Sequence, residues 1–514
     1  MASEVEHSRY GRGFVRKERY AGGEFFVEFD NGLKLWVKRK DLSFSPKNEP
    51  IKIDSPKRTQ QGGSKPSQLP SKPIPNIHPT VICLFPGLQD KYGVNEGADS
   101  VPQRGKDKIE SPGDSAPKGD TRDNTSPFDL ESRIIIESLR LGGVPHNLAS
   151  RFTAGREREI EIIQSFFSDR GKGAVLLEGE YGVGKSHMLE LITSMALQKG
   201  WAVAKIEIDP KETAFHRPKA LYRAITRSFV YTKNGQVHNF YEFIRDVATT
   251  SNIHSLKKLF SHNYFKEVLI RWEENDDNYG LIEWIAGDGI EGQYSKMPKL
   301  HEAQTATNIY CNIISGIGWA AKNVLNLEGI LILIDEAEGI DPAWYTSYQY
   351  GKALNFVKGI TLMVQNNPDL RLEPNKYIYT QEAPRGKVGK LTGLNYCGLD
   401  RDIVPFLWES ESHVKIIFSF VPDLLGSIID IESKMPWFTE IARINLENID
   451  SKAMDKLYSK LFDIYSNAYQ FGPHIDTRTH LPTTKTRLFV KGIIESFDLQ
   501  RFDKNIDFEQ FSAL

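Results

Sequence analysis

Residues 179–186 read GEYGVGKS, which places glycines, a lysine and a hydroxyl at the spacing G-x-x-x-x-G-K-[ST]. The fixed positions are Gly179, Gly184, Lys185 and Ser186. Glycines let consecutive backbone N–H groups turn inward onto phosphate oxygens. A helix starting at Lys185 would add its positive dipole end to the same anion. Lys185 then supplies a point charge to β- and γ-phosphates, and Ser186 a hydroxyl to Mg²⁺. Glu180, Tyr181, Gly182 and Val183 fill the loop, and His187 follows it, completing the candidate nucleotide-binding set.

Hydrolysis needs carboxylates on the metal side, and GILILIDEAEGID (329–341) offers them. An apolar strand ends there in Asp335 and Glu336. Asp335 is placed to hold the water shell of Mg²⁺, and Glu336 to orient and activate the attacking water. Glu338, two residues on, is expected to point away. A site that only held nucleotide would have no use for Glu336. The expected catalytic residues are therefore Glu336 and Lys185, the metal-side residues Ser186 and Asp335, and the cofactors ATP and Mg²⁺.

These residues need a scaffold. AVLLE (174–178) is an unbroken apolar run, as a parallel strand buried on both faces requires. SHMLELITSMALQKG aligns Leu189, Ile192 and Ala196 on one helical face and stops at Gly200. AVAKIEID (202–209) is the next strand, and HVKIIFSF (413–420) a later one ending in Ser419. GREREIEIIQSFF places Ile160, Ile163 and Phe167 on one helical face. The alternation predicts an α/β domain with a parallel sheet over 127–430, a helical insertion at 210–329, and a C-terminal helical lid at 431–514.

Ahead of that domain, residues 1–44 read as a small β-barrel, with RGFVRK, EFFVEF and LKLWVKR as strands separated by AGG and DNG turns. Residues 45–126 are rich in Pro, Ser, Gly and Lys, which predicts a flexible, disordered linker. Within it TVICLFPGL (80–88) is an apolar island, either a docking peptide or a patch that packs back on the core.

The 514 residues suffice for several domains, and 40% hydrophobic with 26% charged residues is ordinary for a soluble globular chain. A net charge of −2 argues against wholesale wrapping of nucleic acid while leaving room for a local basic face. Cys83, Cys311 and Cys397 are far apart and lack His partners, so neither a disulfide framework nor a zinc site is expected. The start MASEVEHSRY has no basic flank or apolar stretch of a signal peptide, and ILILI at 330–334 is too short to span a bilayer. These readings predict a cytoplasmic protein.

Several segments resemble known families. The strand-end Ser419 and the late helix KTRLFVKGIIESFDLQRF, with Arg487 near its start, resemble AAA+ proteins. That resemblance implies Ser419 and Arg487 as γ-phosphate sensors and the last helices as the lid. RIIIESLRLGGVP, FTAGRERE, LLEGEYGVGKSH, AVAKIEID with HRPKALYRAI, and LILIDEAEGI together resemble the ATP-binding proteins of BREX-type phage-defence loci, closest to BrxD-like ATPases. IEWIAGDGI (282–290) is similar to that family's W-x-x-G segment. The resemblance implies an AAA+/Orc-like ATPase of antiviral defence. Its partners would be DNA, directly or through an Lhr-like helicase, and other defence-system proteins. A homo-oligomeric ring would need an arginine supplied in trans, for which Arg371, Arg385 and Arg401 all lie in the plausible stretch. Two features depart from the family: the N-terminal barrel with its tether, and an expanded segment at 365–412. The first forty or so residues resemble the Tudor-like barrel of UvrD-type helicases, where Trp36 among Lys34, Lys38, Arg39 and Lys40 would suit nucleic acid. The alternatives are a STAND-like signalling NTPase, against which the lack of a repeat array counts, and an Orc-like DNA-loading ATPase, which would call for a C-terminal winged helix.

Overall fold

The computed structural model describes residues 129–250, 257–272, 278–288, 297–373, 377–380, 386–398, 403–422, 432–434, 436–503 and 508, together with five N-terminal strands. The chain divides into two compact units, residues 1–118 and 119–514. In the first, β1 (Glu4–His7), β2 (Gly11–Arg19), β3 (Glu24–Phe29), β4 (Lys34–Lys38) and β5 (Leu42–Phe44) pair antiparallel in the order β4-β3-β2-β1-β5. The side chains of Lys34, Trp36 and Lys38, Arg39 and Lys40, the linker 45–126 and the apolar island lie outside the described residues.

The second unit is built on a seven-stranded sheet. Its strands are β6 (Ala174–Gly179), β7 (Trp201–Glu207), β8 (Phe229–Lys233), β9 (Gln236–Asn239), β10 (Gly329–Asp335), β14 (Val414–Phe420) and β15 (Ala442–Leu446), in the order β15-β6-β14-β10-β7-β8-β9. A separate three-stranded antiparallel sheet holds β11 (Tyr377–Thr380), β12 (Gly386–Gly389) and β13 (Asn395–Tyr396). The five strands from β15 to β7 run parallel. β10 and β14 are buried along their whole lengths, in keeping with the apolar run Ile330–Ile334 and the mostly apolar VKIIFSF.

The expected parallel sheet is a mixed, mostly parallel one, because β8 pairs antiparallel with β7 and β9 with β8. The reason is local. FVYTK and QVHN flank Asn234-Gly235, which take φ of 53° and 77°, the left-handed pair that a two-residue hairpin turn requires. The 210–329 insertion is therefore not purely helical. Besides this hairpin it carries α4 (Pro218–Ser228), α5 (Phe240–Thr249), α6 (Phe265–Trp272), α7 (Tyr279–Ala286) and α8 (Thr307–Asn323).

Helices cover both faces. α2 (Glu157–Ser168) and α3 (Lys185–Gln198) contribute to one core with Val175, Leu177, Leu331, Leu333 and Ile417. α4 to α8 and α9 (Ser347–Val364) share the larger core on the other face, with Ile330, Ile332 and Ile334. A third core joins α1 (Leu130–Arg140), α10 (Ser451–Tyr469) and α11 (Thr486–Phe502) through Ile135, Ile136, Leu139, Leu461, Ile493 and Phe497. The sheet thus takes β15 from beyond residue 430, and the helical layer takes α1 from before the phosphate loop.

Candidate nucleotide-binding site

β6 ends in the loop 179–184, and α3 begins at Lys185 with Gly184 as its cap. Gly182 and Gly184 have φ of 89° and 106°, a backbone that side-chain-bearing residues rarely adopt. The first-turn N–H groups of α3 have no partners within the helix and so remain open to an anion. Lys185 Nζ donates to the carbonyl of Gly179 at 2.8 Å, within reach of the cleft. Burial lowers the affinity of this ammonium for its proton, and the nearby Glu338, Asp335, Glu180 and Glu336 oppose that shift.

Because β14 lies between β6 and β10, the phosphate loop and the acidic strand end are one strand apart. Across that gap Ser186 Oγ donates to Asp335 Oδ2 at 3.0 Å. The next residue, Glu336, has φ of 53° and ψ of 40°, a left-handed conformation costly for a non-glycine. Its N–H donates to Asp335 Oδ1 at 3.0 Å, which helps to hold it there. Burial, followed by repulsion from Glu207, Glu338 and Asp335, pushes the Glu336 carboxyl above its ordinary range, against the pull of Lys185.

These groups surround a cleft of about 330 Å³. Tyr181 to His187, Asp335, Glu336 and Arg487 all line it, whereas Gly179 and Glu180 lie just behind. A methyl at Gly179 would come within 2.8 Å of Val183 and 2.9 Å of the Leu446 carbonyl, so this glycine serves close packing onto β15. Val144, Ala154, Ile449, Leu457 and Val490 form an apolar wall, facing the helical layer, that a planar base could enter. The donor set fits nucleotide with Mg²⁺: one carboxylate and one hydroxyl adjoin a loop of N–H donors, and Mg²⁺ in such sites takes its other ligands from phosphate and water. Among the described residues no group of three His, Cys, Asp or Glu side chains gathers as a closed metal cage.

Three expectations change. Glu338 does not point away: Ala337–Ile340 turns into a short 3-10 helix instead of continuing as strand, which brings Glu338 to the cleft wall, where its Oε2 accepts from the Val421 N–H at 3.3 Å. Ser419 lies level with Asp335, beside Leu177 in register, but is fully buried, and its Oγ has no hydrogen-bond partner among the described residues. β14 runs one residue further, so Val421 reaches the cleft instead. His187 lines the cleft with its ring already engaged. Burial, followed by the charge of Arg156, holds its pKa down at about 4, so the ring is neutral. Thr153 Oγ1 donates to the Ala149 carbonyl at 2.8 Å, so the His187 Nε2–H, also at 2.8 Å, must donate to that hydroxyl. Of the arginines considered for a trans role, Arg385 and Arg401 lie outside the described residues. Arg371 is exposed, in the short helix Pro368–Leu372 after α9, whose own end packs at Gly173 just before β6.

Residues 129–244 match the model of the family described as BREX system ATP-binding protein BrxC/D. Over this stretch the chain is similar to BrxC/D ATP-binding proteins. The BrxC/D match contains α1, the phosphate loop, α3 and β7, while Asp335, Glu336 and Arg487 lie beyond it. No curated protein matches the chain.

Within the BrxC/D region Arg156, from GRERE, is a site residue that spacing alone did not single out. It is buried, and its Nη2 donates to the carbonyls of Val183 at 2.7 Å and Glu447 at 2.8 Å. Its Nη1 pairs with Glu159 at 3.2 Å. One guanidinium thus ties the phosphate loop to the chain just after β15. The signal was a basic residue in the short GRERE run ahead of an amphipathic helix, but its target could not be read from sequence. Arg156→Ala is expected to cost roughly 2–4 kcal/mol of stability, because two carbonyls and the partly buried Glu159 carboxylate lose their donor. Urea unfolding of the variant checks this, and a loss below about 0.5 kcal/mol would refute the tether.

Proposed function

We propose that the chain is an AAA+-like ATPase that hydrolyses ATP in this cleft and works within BREX antiphage defence on DNA, directly or through a helicase partner. The observation that carries the hydrolytic reading is the 3.0 Å contact of Ser186 with Asp335, with Glu336 next in the chain on the same cleft wall. A phosphate loop that meets an acidic strand end across one intervening strand also accords with the AAA+ resemblance. The BREX assignment of residues 129–244 supports the defence context and other BREX proteins as partners. Among the described residues no helix is long and apolar enough to cross a membrane.

In this reading the phosphate-loop N–H groups and Lys185 bind the phosphates. Ser186 and Asp335 hold Mg²⁺, which when bound neutralises charge developing on the phosphate oxygens. Glu336 accepts the proton of the attacking water. Arg487 reaches the terminal phosphate from the helical layer.

Steady-state ATP turnover with and without duplex DNA, beside Glu336→Gln, tests the proposal. Turnover that DNA stimulates and the variant abolishes is the expected result. Turnover that is low, indifferent to DNA and equal in the variant would refute it.

The pH dependence follows from the raised Glu336 pKa. The base works deprotonated, so activity is full above that pKa and falls as pH drops through it. The acid limb of kcat should therefore lie above the ordinary glutamate value of about 4.3. Glu207→Gln removes a repulsive neighbour and should shift the limb to lower pH. A limb that stays in place in that variant would rule out this electrostatic cause.

A further inference from the structure

The phosphate loop needs backbone N–H groups and small residues, yet its third residue is an exposed tyrosine. Tyr181 meets the N-terminus of α11. The Arg487 N–H donates to the Gly182 carbonyl at 2.9 Å, and Arg487 Nη1 donates to the Tyr181 hydroxyl at 2.5 Å. The guanidinium carbon sits 5.2 Å from the centre of the Tyr181 ring. Gly142, just after α1, is also near, and an added methyl there would stand 3.1 Å from Arg487 Nη2. Gly142 has a φ of 79°. The guanidinium therefore lies close to both a phenol and a bare backbone, and all three residues line the cleft.

We propose that Tyr181 is a gating residue: it parks Arg487 as a strap across the cleft mouth, and an incoming nucleotide must draw that arginine away before binding is complete. The proposal rests on the reading of this cleft as an ATP site. Arg487 has no carboxylate partner among the described residues, so its guanidinium is held by a neutral phenol. A phosphate oxygen makes a charge-assisted bond about twice as strong as a neutral one, so nucleotide wins the exchange. The phenol nevertheless stabilises the strapped form, and only the remaining fraction is competent to bind, which weakens the apparent affinity.

The consequence is unusual for a residue lining a site: removing its polar group strengthens binding. Stopped-flow association and equilibrium titration of a fluorescent ATP analogue with Mg²⁺ should be run on the full chain, Tyr181→Phe, Arg487→Ala and the double variant. Tyr181→Phe is expected to speed association and tighten Kd by roughly three- to ten-fold, the effect of releasing one hydrogen bond. In the Arg487→Ala background the same change should have no effect, because Tyr181 acts only through that arginine. An unchanged or weaker Kd in Tyr181→Phe overturns the strap, as does an equal gain when Arg487 is already absent. Failure of the unmodified protein to bind the analogue would refute the ATP reading itself, which separates the two outcomes.

Discussion

Glu336→Gln is expected to lower ATP turnover by roughly 100- to 10,000-fold while Kd for ATP stays within about three-fold. The amide keeps the size and the backbone of the carboxylate but cannot take a proton from water. Binding survives because the phosphate contacts come from the loop 181–186 and not from Glu336. The variant should even hold nucleotide a little better, since one negative charge leaves a wall that already carries Asp335 and Glu338. Single-turnover hydrolysis together with nucleotide titration separates the two effects. Equal loss of affinity and turnover would mean that Glu336 shapes the cleft and does not act on water. Turnover retained with Gln at 336 would transfer the base role to Glu338, which the turn at 337–340 brings to the same wall.

Lys185→Ala carries the second large effect, and it falls on binding. The ammonium lies 2.8 Å from the Gly179 carbonyl, at the base of a cleft whose other side is acidic. Without it, triphosphate would face Asp335, Glu336 and Glu338 with no neighbouring lysine on the loop to offset them. We expect ATP affinity to fall by about 100-fold, in line with the loss of a buried charged contact of roughly 3 kcal/mol. Thermal unfolding reads this directly. A ligand at 100 times its Kd stabilises the native state by about 2.7 kcal/mol, and the same concentration should leave the variant with only about 0.4 kcal/mol. A full ATP-dependent shift in Lys185→Ala would place the nucleotide elsewhere on the chain. Because the lysine is partly exposed and its shortest contact is one backbone carbonyl, its removal should cost the unliganded protein little, so the loss of shift is not a folding defect.

Much of the site was legible because its signals are short. Gly179 to Ser186 lie within one turn-and-helix start, and Asp335 and Glu336 are neighbours at the end of an apolar run. Close spacing leaves few ways to arrange such residues once strand and helix are assigned. The β8–β9 hairpin was equally local, with Asn234-Gly235 between alternating segments, yet it stood inside a stretch read as helical and so turned an expected parallel sheet into a mixed one. Glu338 was misjudged for the opposite reason. Strand alternation predicts where a residue points only while the strand continues, and β10 stops at Asp335.

The sequence by itself determined a phosphate loop at a strand end, an acidic pair at another, and helices with one apolar face each. Those features depend on contacts within a few residues, where covalent geometry and hydrophobic periodicity leave little freedom. Tertiary structure alone decided which elements share the cleft. Arg156 reaches the Glu447 carbonyl across 291 positions of sequence, and Arg487 reaches Tyr181 across 306. It also set α1 beside α10 and α11, and β14 between β6 and β10, which puts Ser186 within 3.0 Å of Asp335. Such pairings follow from strand order and from which apolar faces bury one another, and no spacing along the chain encodes them locally.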